Sequence, residues 1–189
     1  PSAAPDDDGN IIVIFNMNPA MRTEGWNQIM TLPRKLTLSG EEDVLVEPAG
    51  DVESLRGEHR RVEAVALPAN QDVVLDEIGG NAVEIGAEID TGNASAVELD
   101  VLRSPGKEEV TRIIFYRKRG LRNPENGQHS SLISIDSTHS SSLPEARCRA
   151  PETAPVYLED DEPLKLRVFV DKSVVEVFVN GKQCLGLRV

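Results

Sequence analysis

The sequence predicts an all-β protein, a two-sheet antiparallel β-sandwich, and three observations predict it. Apolar and polar residues alternate with period two in one short run after another, the pattern of strands that bury a single face. The runs recur about every 8–12 residues with Gly, Pro, Asn and Asp between them, as in sandwiches and barrels. Asn180-Gly181 separates two such runs, and both residue types tolerate the positive φ of a tight hairpin turn.

In chain order, strands are expected at residues 11–15, 26–31, 35–38, 44–47, 61–67, 72–78, 82–89, 96–102, 110–117, 132–135, 164–170, 174–179 and 185–189. Residues 51–59 suggest a helical turn. Residues 123–127, and the Ser/Pro-rich stretch 137–155, read as surface loops.

The chain has 189 residues, enough to bury a core without metal or disulfide staples. Aromatics are sparse at 4%, and 32 acidic against 20 basic residues leave a net charge of −12. That balance argues against nucleic acid and against an anionic membrane surface, since both need clustered positive charge. No apolar run approaches the roughly 20 residues of a membrane span. The N-terminal Pro-Ser-Ala-Ala-Pro-Asp-Asp-Asp lacks the basic and apolar regions of a signal peptide. Asn93-Ala94-Ser95 is a glycosylation sequon that matters only in a secreted eukaryotic protein.

Registering the last strands sharpens the reading of Glu176. With Asp171-Lys172 and Asn180-Gly181 as two-residue turns, Val168 faces Val175, Leu166 faces Val177 and Leu164 faces Val179, making one apolar face. On the other face Arg167 lies opposite Glu176 and Phe169 opposite Val174, while Cys184 lands opposite Val177 and points into the core. A carboxylate within Val-Val-Glu-Val-Phe-Val has the surroundings of an active-site acid with a raised pKa. The expected partner opposite it favours a cross-strand ion pair with Arg167 instead. Asp171 reads as a turn residue. Its odd offset from Glu176 is expected to send the two carboxylates to opposite faces, so they do not form the closely spaced pair of a retaining glycosidase.

Other candidates weaken under the same scrutiny. Asp6-Asp7-Asp8-Gly9-Asn10 begins like a calcium loop, but Met17 stands where the bidentate Glu should be, leaving a solvated turn as the expectation. His59, His129 and His139 have no ligand spacing to one another or to a cysteine, and no metal or other cofactor is expected. Ser130, Ser131 and Ser140 to Ser142 lie near histidines without a nucleophile elbow. No catalytic, cofactor-binding or metal-ligating residue is therefore assigned. For Cys148 and Cys184, a disulfide and two separate thiols are equal alternatives.

Four segments resemble glycoside hydrolase family 32, the β-fructofuranosidases, inulinases and levanases. Gly25-Trp26 through Leu32-Pro33-Arg34-Lys35-Leu36-Thr37-Leu38 is similar to its "G-W-x-x-x-x-S-L-P-R-x-L-x-L" segment, and Val46-Glu47-Pro48 through Leu55-Arg56-Gly57 to the linker that follows. Leu166 through Gly181 matches "L-x-V-x-x-D-x-S-x-x-E-x-F-x-N-x-G" almost residue for residue. Ile135-Asp136-Ser137-Thr138 with Ser140-Ser141-Ser142 resembles the family's "D-R-S-x-S-S" turn.

The resemblance implies that residues 1–48 are the last strands and linker of a five-bladed β-propeller, and residues 49–189 its C-terminal β-sandwich. It implies a parent enzyme that cleaves β-fructosidic bonds with retention or transfers the fructosyl group. The family's catalytic motifs, of the types "N-D-P-N-G", "R-D-P" and "E-C", do not occur here; Asn123-Pro124-Glu125-Asn126-Gly127 only superficially resembles the first. The chain is thus expected to be a non-catalytic part of a longer protein. Its partners would be the catalytic propeller and, through it, a fructose-containing saccharide, with an oligomer contact left open. The implied location is secreted or extracellular, with the cytoplasm as alternative. Trp26 either anchors the interface with the propeller or plugs the domain's own core. The alternative function is a free-standing, lectin-like carbohydrate-binding sandwich, for which exposed aromatics are few.

Overall fold

The computed structural model describes residues 1–17, 24–40, 43–124, 126–146 and 149–189. Four short strands open the chain: β1 (Ser2–Pro5), β2 (Ile11–Ile14), β3 (Asn16–Met17) and β4 (Ile29–Met30). They are followed by β5 (Arg34–Ser39), β6 (Asp43–Pro48) and a 3-10 turn at Val52–Leu55. Then come β7 (Ala82–Ile89), β8 (Ala96–Val101), β9 (Val110–Tyr116), β10 (Ser131–His139) and β11 (Glu152–Val156). The chain ends in the meander β12 (Leu164–Asp171), β13 (Val174–Val179) and β14 (Gln183–Arg188).

Two four-stranded antiparallel sheets, ordered β11-β10-β9-β8 and β14-β13-β12-β7, form the sandwich. Ile113, Phe115, Ile133 and Ile135 of the first meet Leu166, Val168, Val175 and Val177 of the second in one buried cluster. The alternation read from the sequence is the physical cause, since each strand turns its apolar set inward. A further sheet, β1-β2-β5-β6, and the β3-β4 pair come from the N-terminal part of the chain.

The β13 strand departs from the alternation, because all six of its residues are buried. Val175, Val177 and Val179 face the other sheet, so Val174, Glu176 and Phe178 must be covered from outside. The N-terminal strands supply that cover.

Several expectations are corrected. Residues 61–67 and 72–78 form no strand: they run as an almost wholly exposed excursion in which the Arg60 guanidinium donates to the Glu77 carbonyl and Lys107 pairs with Asp72. Neither segment pairs with a strand, and a period of two is a strand only where one face is buried. Residues 26–31 contract to Ile29–Met30. Two unexpected strands, β1 and β11, contain Pro5 and Pro155. Both are edge strands, the place where a residue without an N–H donor is tolerated.

The hairpin registers also differ. Asp171 continues β12, pairing with Ala82 on one side and Val174 on the other, so the turn residues are Lys172 and Ser173, with Lys172 at φ 56°. Val168 therefore faces Val177 and Leu166 faces Val179, a slide by two that keeps every side chain on its expected face. Asn180 and Gly181 do form a left-handed tight turn closed by the Lys182 N–H on the Val179 carbonyl. Lys182 is then left over as an extra residue, and the ladder resumes with Val179 opposite Gln183. That odd step puts Cys184 opposite Phe178, on the outer face of the sheet, and not opposite Val177 in the core.

Candidate functional site

Glu176 lies at the centre of the outer face of its sheet, and its partner is not Arg167. In the observed register Arg167 stands opposite Phe178 and Glu176 opposite Phe169. Arg167 turns instead toward β7 and the 3-10 turn: its Nε donates to Glu84 Oε1 at 2.7 Å and its Nη2 to Glu53 Oε1 at 3.0 Å. Arg56 completes this group by binding both oxygens of Glu84 at 2.8 and 2.7 Å. The segment after β6 is thereby fastened to two sandwich strands. With Arg167 committed to Glu84 and Glu53, Glu176 takes partners from the N-terminal strands.

One oxygen of Glu176 accepts the backbone N–H of Leu32 at 2.6 Å, and the other accepts Arg34 Nη2 at 2.9 Å. The glutamate side chain is 2% exposed and that of Arg34 11%. Burial pushes the Glu176 carboxyl above the ordinary glutamate value, against the opposing pull of the Leu32 N–H and the Arg34 guanidinium. Arg34 is further held between aromatic rings, 5.1 Å from the centroid of Phe15 and 5.9 Å from that of Phe178.

Around this pair the two parts of the chain interlock. Gly186 faces Glu176 across the ladder, and a side chain there would meet Met17. The Val46 N–H donates to the Gly181 carbonyl at 2.7 Å, tying β6 to the turn between β13 and β14. Trp26 is 44% exposed and carries the Arg188 guanidinium over its ring at 4.3 Å. The contact is with the last sandwich strand, and Trp26 is not part of the buried core cluster.

The remaining sequence candidates do not join this site. Asp171 shares the outer face with Glu176, contrary to the expectation of opposite faces, because the chain reverses direction between them. It is exposed at the hairpin end, and the two Glu176 oxygens are already bound by Leu32 and Arg34. Asp6 forms a turn, accepting the N–H groups of Asp8 and Asn10 at 3.0 and 2.8 Å. Ser142 bonds Glu109 through both its N–H and its hydroxyl, while Thr111 and Ser140 share a hydrogen bond of 2.7 Å. His129 contacts the Gly120 carbonyl and His139 is exposed. Glu125 and Cys148 lie outside the described residues, and so does the question of a disulfide to Cys184.

Sequence reasoning found Glu176 but missed Arg34 as its partner. The available signal was the exceptional strand: six residues buried on both faces require a second layer.

Comparison with known proteins places these observations in a family. The model of glycosyl hydrolases family 32, C terminal, matches residues 51–189. Levanase of Bacillus subtilis is 28% identical over 170 residues, which cover 86% of this chain and 23% of that protein. Sucrose-6-phosphate hydrolase of Zymomonas mobilis is 29% identical over 180 residues, covering 91% of this chain and 30% of the relative. The fold is that seen in fructan 1-exohydrolase IIa from Cichorium intybus, with a TM-score of 0.83 at 17% identity over 99% of this chain and 41% of the other. The chain thus spans less than a third of the length of these two sequence relatives.

Proposed function

The chain belongs to glycosyl hydrolase family 32 as its C-terminal domain, and from that premise we propose that it is the non-catalytic sandwich module of a longer enzyme acting on β-fructosidic bonds of sucrose, inulin or levan. In this reading residues 1–48 are the closing strands of the catalytic propeller. The sandwich holds them by its outer face. The observation that carries the proposal is the grip of Glu176, from the middle of β13, on the Leu32 N–H and the Arg34 guanidinium.

The N-terminal sheet supports the same reading. Ile11, Leu36 and Val46 lie in one row of its ladder and Leu38 opposite Val44 in the next, so that face is apolar apart from Arg34. Arg34 and Val13 at one part of that face are buried, whereas Leu38 and Val44 are 75% and 50% exposed. A sheet face of this kind gains stability by packing on a further layer, as blades of a propeller do.

The test compares the isolated 189 residues with the full polypeptide. The isolated chain should hydrolyse no sucrose, inulin or levan, while the full polypeptide should. Measurable turnover by the isolated chain would overturn the assignment. Tight binding of the isolated chain to immobilised inulin, without any turnover, would favour the lectin-like module.

A further inference from the structure

In a chain of charge −12, the basic residues Arg117, Lys118, Arg119 and Arg122 crowd into the reversal between β9 and β10, with no acidic residue among 117–122. Negative charge is as concentrated in the turn before β12, where Glu159, Asp160, Asp161 and Glu162 are consecutive. The two runs are neighbours in the fold. Lys118 Nζ meets Asp160 Oδ1 at 2.5 Å, and the Arg117 guanidinium donates to the Asp160 carbonyl at 3.4 Å. One surface therefore carries a positive patch beside a negative one.

Contacts within the chain exhaust neither patch. Arg119 is exposed and has no partner among the described residues, and Arg122 reaches only the Gly127 carbonyl, at 3.3 Å. Asp160 is held by Lys118, and Glu162 by Lys182 at 2.7 Å and Asn180 at 3.0 Å. The side chains of Glu159 and Asp161 are exposed and have no partner among the described residues. The basic reversal is fixed in place: the Gly120 N–H donates to the Ser130 carbonyl at 2.8 Å, the Asn123 N–H to the Gln128 carbonyl at 2.7 Å, and Arg122 forms a β-bridge with His129. A tip held in this way orders little further chain on meeting a partner. Leu121, between the two arginines, and Tyr157, just before the acidic turn, are also exposed. Tyrosine and arginine are among the residues that anchor protein interfaces.

Opposite patches lying side by side complement themselves. A two-fold rotation lays the cations of one copy on the carboxylates of the other, and makes the same contact a second time in reverse. We propose that this face joins two copies of the chain, with Arg119 and Arg122 against Glu159 and Asp161 of the partner subunit. The proposal stands on the charges and does not depend on the enzyme assignment. Exposed charge pairs are individually weak and screened by salt, so the dimer is expected to dissociate with a constant of roughly 10–100 μM at low ionic strength.

Sedimentation equilibrium of the full polypeptide tests this, at several protein concentrations in low salt and in 0.5 M salt, roughly three times the physiological level. Two charge reversals are compared with the wild type, Arg119→Glu with Arg122→Glu, and Glu159→Lys with Asp161→Lys. Unfolding midpoints show that each folds; a reversal that does not is replaced by Arg119→Gln with Arg122→Gln, or by Glu159→Gln with Asp161→Gln. The expected result is a wild-type dimer that dissociates in high salt and is weakened about tenfold or more by either reversal. An equimolar mixture of the two reversals should regain the dimer, because every like-charge contact then becomes an opposite-charge one. A full polypeptide that stays monomeric, as it would if its own remaining part covered this face, overturns the proposal. So does a dimer indifferent to both reversals, or a mixture of the two reversals that stays monomeric.

Discussion

The carboxylate of Glu176 and the guanidinium of Arg34, 142 positions apart in the chain, meet at 2.9 Å in a site from which water is nearly excluded. In such a site the loss of one partner leaves the other charged, buried and uncompensated.

Glu176→Ala strips Arg34 of its counter-ion and Leu32 of its acceptor, and is expected to cost about 3–5 kcal/mol. Glu176→Gln keeps an acceptor for the Leu32 N–H and should cost about 1–3 kcal/mol. Replacing both partners with apolar side chains, Glu176→Leu with Arg34→Met, should recover much of the loss. Urea unfolding of the wild type, Glu176→Leu, Arg34→Met and the double variant gives the coupling directly. Additive costs would show that the pair does not act as a unit.

Gly186 tests the closeness of the two layers. A Cβ built there falls 2.6 Å from the Met17 terminal methyl, 3.2 Å from Arg34 Nη2 and 3.3 Å from Glu176 Cγ. The Met17 side chain is flexible and can withdraw, but the ion pair must also give. Gly186→Ala is expected to destabilise by about 1–3 kcal/mol, and Gly186→Leu to dislodge the N-terminal strands. Loss of the Arg188–Trp26 contact, read from the fluorescence of Trp26, reports the second effect; unchanged emission in the leucine variant would contradict it.

The pH dependence of stability should contain two opposed contributions. Burial raises the Glu176 pKa in the folded state, so its contribution is fully present below the ordinary glutamate value of about 4.3 and is lost as pH rises through the raised value. Glu84 is the reverse: Arg56 first, and Arg167 with it, hold its carboxyl low. Its contribution is present above the ordinary value and lost as pH falls through the lowered one. The stability of the wild type relative to Glu176→Gln should therefore decline from acid toward neutral pH, and relative to Glu84→Gln it should increase. Denaturant titrations across that range decide both signs.

Cys184 lies on the same outer face, its thiol donating to the Leu185 carbonyl at 3.7 Å. Burial pushes its pKa up to about 12, and the thiolate is the reactive form. Alkylation of Cys184 at pH 8, followed by peptide mass spectrometry, should be very slow in the native protein and prompt in urea. Prompt labelling without denaturant would show that the outer layer opens.

The inner faces of the sandwich were legible in the sequence because they depend only on the pleat of each strand. Val168, Val175 and Val177 alternate with polar or outer-face neighbours, and they are buried wherever the ladder is registered, provided the slide is even. The Asn180-Gly181 turn was legible for a similar reason, since positive φ at both positions is a property of those two residues. The same local logic misled at residues 61–67 and 72–78, whose alternation found no neighbouring strand, and it overlooked β1 and β11, whose prolines suit only an edge.

What only the tertiary structure decided is the environment of Glu176. The strand, its burial and the presence of a counter-charge follow from the sequence, and the identity of that counter-charge does not. Continuation of β12 through Asp171 slid the hairpin by two, Glu84 and Glu53 engaged Arg167, and the N-terminal strands brought Arg34 over the exposed side of β13. A strand's face is set by its own backbone. The partner of a buried carboxylate is set by which cation arrives within hydrogen-bond distance once the layers have packed, and that depends on the whole chain at once.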